Sequence, residues 1–399
     1  ATLLRERFHR QVLDALYHLT EHYERRRDDA RARDYARRQV ELAPWREEAH
    51  RQLMRLLARG GQRSAALHQY ETCRQILADQ LDVVPSAKTR RLYGRLRQVP
   101  ELGAHNLPPQ MTPFVGRQAE LVALGGRLAD PTCRLLTLVG PGGIGKTRLA
   151  IQAAYENRRA FLHGVCFVPL TTIPSAASLT TAIADALKLR LQGSAPAHEQ
   201  VLGALRPREL LLVLDNFEHL VEDGAWLLTD ILKAAPEVTL LVTSRERLNL
   251  YAETVFDVQG LACPAETQVE RAASYSAVDL FLRSADRAQA GFVPAAGEMA
   301  DVVRICRMAE GMPLGIELAA AGVRAHSCRE IADQIQGRLA FLSASARDVL
   351  PRHRSVQAAF DHSWQRLPTE EQHAFAALSV FRDGFDGQAA AQVAGASPP

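Results

Sequence analysis

Gly140-Pro141-Gly142-Gly143-Ile144-Gly145-Lys146-Thr147 decides how the rest of this chain is read. The stretch follows a short apolar run, Arg134 to Val139, and opens a helical pattern. Gly140, Gly142, Gly143 and Gly145 let the backbone curl so that successive N–H groups converge on phosphate oxygens. The following helix adds its positive N-terminal dipole. Lys146 then reaches the β- and γ-phosphates, and the Thr147 hydroxyl can ligate Mg²⁺. Ile144 and Arg148 are counted with the nucleotide-contacting positions. The alternative, a glycine-rich turn with no ligand, has less support in this strand–loop–helix context.

Leu210-Leu-Leu-Val-Leu-Asp215 is the natural partner of that loop. A carboxylate ending a buried parallel strand sits beside a phosphate loop and can hold the Mg²⁺ shell; a helix N-cap is the plainer alternative. Asn216 follows, an amide that can orient water but cannot accept its proton. Glu218 is the candidate to replace it, against a role in a solvated loop or helix cap. Thr243-Ser244-Arg245 ends a further apolar run, where Arg245 can read terminal phosphate charge or simply close a strand. GTP is disfavoured, because none of the lysines (88, 146, 188 and 233) follows an Asn as guanine-reading Asn-Lys-x-Asp requires.

Around these motifs the pattern is α/β. Strands are predicted at Arg134–Val139, Gly164–Leu170, Leu210–Asp215 and Val238–Ser244, with a possible fifth at Thr254–Leu261. Helices are predicted through Leu179–Leu189 and Leu220–Ala234. Continuous apolar runs alternating with helices imply a parallel sheet covered on both faces. The strand between the Lys146 loop and Asp215 favours the additional-strand branch of P-loop ATPases. From Ser276 to Leu342 the pattern is helical.

The first hundred residues are helical and repeat at an offset of 34: Leu19 with Leu53, Tyr23 with Leu57, Ala32 with Ala66, Ala36 with Tyr70. That is the tetratricopeptide period, two antiparallel helices per unit, and it speaks for an interaction surface. A plain helical bundle is the alternative. Pro44 and Gly60-Gly61 punctuate the repeat, Pro85 precedes a last helix, and Pro100, Pro108, Pro109 and Pro113 mark an extended linker.

Composition is that of an ordinary folded protein, 47% hydrophobic and 23% charged, with a net charge of +3. No apolar run approaches the roughly 18 residues that span a bilayer. The six cysteines form no Cys-x-x-Cys pair, so a zinc site or disulfide framework is not expected. Cations are in surplus over the first hundred residues, but Glu24-Arg-Arg-Arg-Asp-Asp29 mixes signs as a solvated helix end does. Starting at Ala1 inside a helical pattern, without Met or a signal peptide, the chain reads as an excised piece of a cytoplasmic protein.

Phe114-Val-Gly-Arg117-Gln-Ala-Glu120-Leu resembles the entry motif of NB-ARC-type signal-transduction ATPases, the STAND class. The glycine loop, Leu-Val-Leu-Asp215-Asn216, Thr-Ser-Arg245 and Gly311-Met-Pro313-Leu follow in that family's order. Residues 1–97 are similar to the bacterial transcriptional activation domain of antibiotic-regulatory activators. The resemblance implies a multidomain chain. Its parts are an all-α TPR-like domain (1–98), a linker (99–112), an α/β P-loop nucleotide-binding domain with a parallel sheet (113–265), an all-α helical lid (266–345) and a partial winged-helix module (346–399).

By the same resemblance, Val115, Gly116 and Arg117 lie near adenine or ribose, and Pro313 contacts the base; Pro313 as an ordinary first helical residue is the alternative. ADP holds such proteins closed, and exchange for ATP opens them for self-association. RNA polymerase or other regulator domains are the implied partners. DNA is reached only through a domain outside these residues, and no membrane is involved. Since Asn216 stands where hydrolytic relatives often carry an acid, slow turnover of ATP is expected. A turnover ATPase acting on DNA or protein, and a TPR adaptor with an inactive P-loop, are the competing readings.

Overall fold

The apolar runs of the middle region pair into one parallel sheet ordered β2-β3-β4-β1-β5. Its strands are β1 (Leu135–Val139), β2 (Val165–Pro169), β3 (Leu210–Asp215), β4 (Val238–Ser244) and β5 (Glu253–Asp257). The computed structural model describes residues 2–26, 28–98, 103–295, 297–337, 364, 368–381 and 387–394. The chain divides into two units: Ala1–Gly140 with Lys146–Val258, and Pro141–Gly145 with Gln259–Pro399.

In the first unit, every residue of β3 is buried, as a strand covered on both faces requires. One face packs Leu210, Leu212, Leu214, Leu240 and Val242 against α8 (Ala176–Ala186), α9 (Ala197–Leu205) and α10 (Val221–Ala234). The opposite side chains, Leu136, Leu138, Leu211, Val213 and Leu241, are equally buried, and α7 (Lys146–Asn157) lies against β1, β3 and β4. The β2 edge is capped by the linker. Asn106 donates to the Phe167 carbonyl at 2.8 Å and accepts the Phe167 N–H at 2.6 Å, and the Val165 N–H bonds the Ala104 carbonyl. An edge so occupied is closed to further strand pairing.

The fifth strand is shorter than its apolar sequence suggests. Val258 N–H still reaches the Val139 carbonyl at 2.8 Å, but pairing stops at Asp257. The second unit begins at Gln259, and within it the Leu261 N–H bonds the Gly311 carbonyl.

The same unit carries α1 (Thr2–Arg25), α2 (Asp29–Leu42), α3 (Glu47–Arg59), α4 (Arg63–Leu81) and α5 (Ala87–Gln98). α1 packs on α2 and α3 on α4, the arrangement the 34-residue offset predicts. Ala32, Ala36 and Ala66 are wholly buried where helices cross closely, and Tyr70 stacks on Tyr93. Leu19 departs from the pattern: it is 37% exposed, while Leu13 and Leu16 of α1 are buried.

The second unit is helical: α11 (Ser276–Ala288), α12 (Glu298–Met308), α13 (Pro313–Ala321) and α14 (Cys328–Gly337). Of the winged-helix reading (346–399), residues 346–363, 365–367, 382–386 and 395–399 lie outside the described residues; Thr369–Leu378 and Gly387–Ala394 are helices. Among the described residues, no helix is long and apolar enough to cross a membrane.

Candidate phosphate site

β1 ends at Val139, level with Ser244 of β4 and Asp257 of β5, so the chain leaves the middle of the sheet at its C-terminal edge. The loop that follows needs glycine at two of its four glycine positions: Gly143 has φ +84° and Gly145 φ +95°, left-handed conformations that a side chain disfavours. Lys146 then begins α7.

The Lys146 ammonium donates to the Gly140 carbonyl at 2.6 Å. Burial pushes its pKa down to about 8; Arg245 adds to the depression, while Glu218 and Asp215 oppose it. Such a buried ammonium gains from an added anion. The Thr147 hydroxyl donates to Asp215 Oδ1 at 2.7 Å. The same carboxylate oxygen accepts from the Thr243 hydroxyl at 2.7 Å. Thr243 Oγ1 in turn accepts the Asn216 N–H at 2.8 Å. Asp215, Thr243 and Ser244 are all buried.

Asn216 takes a left-handed turn (φ +70°), which ends β3 and starts a short 3-10 segment, Phe217–Leu220. Phe217 anchors that segment in the sheet core. Glu218 is thereby set into the cluster, where its Oε1 accepts from Arg245 Nε at 3.1 Å. The structure thus brings Lys146, Thr147, Asp215, Asn216, Glu218 and Arg245 together in one unit.

The sequence reading quotes Thr243 only as the head of Thr-Ser-Arg245 and gives it no role of its own at the site. Its signal is a hydroxyl residue inside an apolar run that is otherwise almost wholly buried. The Arg148 Nη2 donates to the carbonyls of Thr112 and Pro113 at 2.8 and 3.0 Å. Arg117 is buried in a left-handed conformation preceding α6 (Gln118–Ala129), paired with Glu120 at 3.3 Å. Gly116 also has positive φ, and Val115 is half-buried beside it.

In the second unit, Gly311 has φ +67°, and a Cβ there would lie 2.2 Å from the Leu261 carbonyl oxygen. Glycine at the head of the Gly-Met-Pro-Leu motif is therefore required by a close backbone crossing. Pro313 is the first residue of α13. The Leu314 N–H donates to the Gly143 carbonyl at 3.3 Å, and the Leu314 side chain covers Gly143. Ile144 is buried.

A parallel sheet with a glycine loop after β1, an aspartate ending β3 and β4 inserted between them defines a P-loop NTPase of the additional-strand kind. Residues 1–97 match the family described as bacterial transcriptional activator domain, and residues 134–281 match the NACHT domain. Over 264 residues the chain is 38% identical to Rv0890c of Mycobacterium tuberculosis, which is named as a putative HTH-type transcriptional regulator. That match covers 66% of this chain and 29% of the relative. It is 32% identical over 282 residues to the protein Rv0894 of the same species, covering 71% of this chain and 69% of that one. Against the regulatory protein AfsR of Streptomyces griseus, identity is 28% over 380 residues, covering 88% of this chain and 36% of AfsR. The chain belongs to the STAND class of P-loop NTPases, in the branch that carries a bacterial transcriptional activator domain at its N-terminal side. It spans less than a third of the length of Rv0890c.

Proposed function

We propose that this chain is the ATP/ADP-binding switch of a bacterial transcriptional regulator in the cytoplasm, its nucleotide controlling domain arrangement and assembly. The observation that carries the reading is the convergence of Lys146, Thr147, Asp215 and Arg245 at the C-terminal edge of the sheet. An ammonium at the loop exit, a hydroxyl–carboxylate pair and a guanidinium together suit the terminal phosphates of a nucleotide.

Mg²⁺ fits the donor set. The Thr147 hydroxyl and Asp215 carboxylate are hard oxygen donors already side by side, and Mg²⁺ takes one or two protein oxygens together with phosphates and waters. Bound there, it supplies neutralisation of phosphate charge.

Hydrolysis in this reading is slow. Water attacks the γ-phosphorus, the bond from that phosphorus to the β,γ-bridging oxygen breaks, ADP and phosphate leave, and the water proton passes to Glu218. Asn216 has no basic group to take that proton. Glu218 is paired with Arg245 in the structure, so that pair must open before Glu218 can take the proton. Inverting a two-state population from 99:1 to 1:99 takes about 5.5 kcal/mol of differential affinity. A few charge-assisted hydrogen bonds to the γ-phosphate, each worth about 1.5–3 kcal/mol, supply that amount.

The helical repeat of α1–α5 would contact RNA polymerase or another regulator domain, and DNA would be engaged by a domain outside these residues. Mass spectrometry of the ligand released on denaturing the purified protein tests the reading. An adenine nucleotide supports it, and failure of the protein to bind any nucleotide rejects it.

A further inference from the structure

Glu218 is an unusual carboxylate. Its side chain is only 4% exposed, and Oε1 is held by Arg245 Nε at 3.1 Å. Oε2 is buried and has no hydrogen-bond partner among the described residues. A buried carboxylate oxygen without a donor is costly, so the cluster is one donor short as it stands. The placement is built rather than incidental. The left-handed turn at Asn216 and the anchoring of Phe217 in the core set Glu218 facing β4, where Arg245 follows the last strand residue.

Formal charge in this cluster is balanced. Lys146 and Arg245 are positive, and Asp215 and Glu218 are negative; Glu218, Arg245 and Asp215 all act electrostatically on Lys146. A terminal phosphate that is to be held by Arg245 must therefore compete with a carboxylate already in place. A diphosphate held by Lys146 makes no such demand and leaves the Glu218–Arg245 pair intact.

We propose that Glu218 is the resident counter-anion that a γ-phosphate displaces from Arg245, and that this pair sets the preference of the site for ADP or ATP. The inference rests on the reading of Lys146 as a phosphate ligand and Arg245 as facing the terminal phosphate. It adds that ATP binding has a built-in opponent that ADP binding does not meet. Displacement also frees both Glu218 oxygens to accept from water, so the group that resists ATP becomes the acceptor once ATP is seated.

The test compares affinities of the full chain, with Mg²⁺, for ADP and for the non-hydrolysable analogue adenylyl imidodiphosphate. Glu218→Gln keeps the shape and removes the charge. It is expected to tighten analogue binding about tenfold while leaving ADP within about twofold, the scale of one charge-assisted hydrogen bond. Arg245→Gln is expected to weaken the analogue about tenfold or more and ADP little. Glu218→Asp, which shortens the reach to Arg245, is expected to shift the analogue in the same direction as Glu218→Gln, and decides the matter if the Gln variant does not fold. Equal shifts for both nucleotides, or no shift in their ratio, overturn the proposal and leave the pair a structural brace. Nucleotide binding that survives Lys146→Ala unchanged overturns instead the reading on which it rests.

Discussion

Thr147 and Asp215 stand 68 residues apart in the chain, yet the threonine hydroxyl donates to the aspartate Oδ1 at 2.7 Å. The contact joins the first turn of α7 to the end of β3 and places a hydroxyl and a carboxylate on one spot. If that spot takes Mg²⁺, Asp215→Asn should reduce the Mg²⁺-dependent part of ADP affinity by about ten- to a hundredfold. Calorimetric titration with and without the ion reads this directly. A variant with undiminished Mg²⁺ dependence would move the metal elsewhere.

Thr243 braces the same carboxylate from β4. Thr243→Val keeps the volume but removes the donor to Asp215 and the acceptor of the Asn216 N–H. Leaving buried polar groups unmade costs about 1–3 kcal/mol each, so the melting temperature should fall by several degrees. Nucleotide should recover part of the loss by mass action.

Lys146 gives the site a pH dependence. Its pKa is lowered from 10.5 to about 8 chiefly by burial. Below pH 8 the ammonium is present and ready for phosphate. As pH rises through about 8 the free protein loses that proton, and binding must take one up. Affinity for ADP should thus fall about tenfold per pH unit between about 8.5 and 10. Titrations in buffers of different ionisation enthalpy should show net proton uptake in that range. A flat profile to pH 10 would contradict the assignment.

Gly311 predicts a fold defect. Gly311→Ala sets a Cβ 2.2 Å from the Leu261 carbonyl oxygen at a φ of +67°. Gly260→Ala would meet the Glu310 carbonyl at 2.1 Å from the other side of the crossing. Each should destabilise the helical unit by at least about 2 kcal/mol, visible as faster limited proteolysis after Val258. Gly126→Ala, at a helical position with open space around it, serves as the control and should leave the proteolysis rate unchanged.

What is legible in the sequence is what is local. The glycine loop, the Asp215 strand and the 34-residue offset are short-range patterns, and the structure keeps each. Helix α9 escapes a sequence reading, because Val201 and Leu205 are the only buried apolar signals in a nine-residue segment. The end of β5 is easily overrun, since apolar character continues through Leu261 while hydrogen bonding passes to Gly311. The Glu218–Arg245 pair spans 27 residues and depends on one left-handed residue, Asn216, that no periodicity reveals. The Arg148 side-chain contacts with the Thr112 and Pro113 carbonyls span more than thirty residues and have no local signal in the sequence.

The most direct test of the switch is equilibrium binding of ADP and adenylyl imidodiphosphate to the wild-type chain and to Lys146→Ala, with melting curves to confirm that both are folded. The account predicts that the wild type binds both ligands and that the folded variant loses at least about a hundredfold in affinity for each. A folded Lys146→Ala protein that binds either ligand as tightly as the wild type would contradict it.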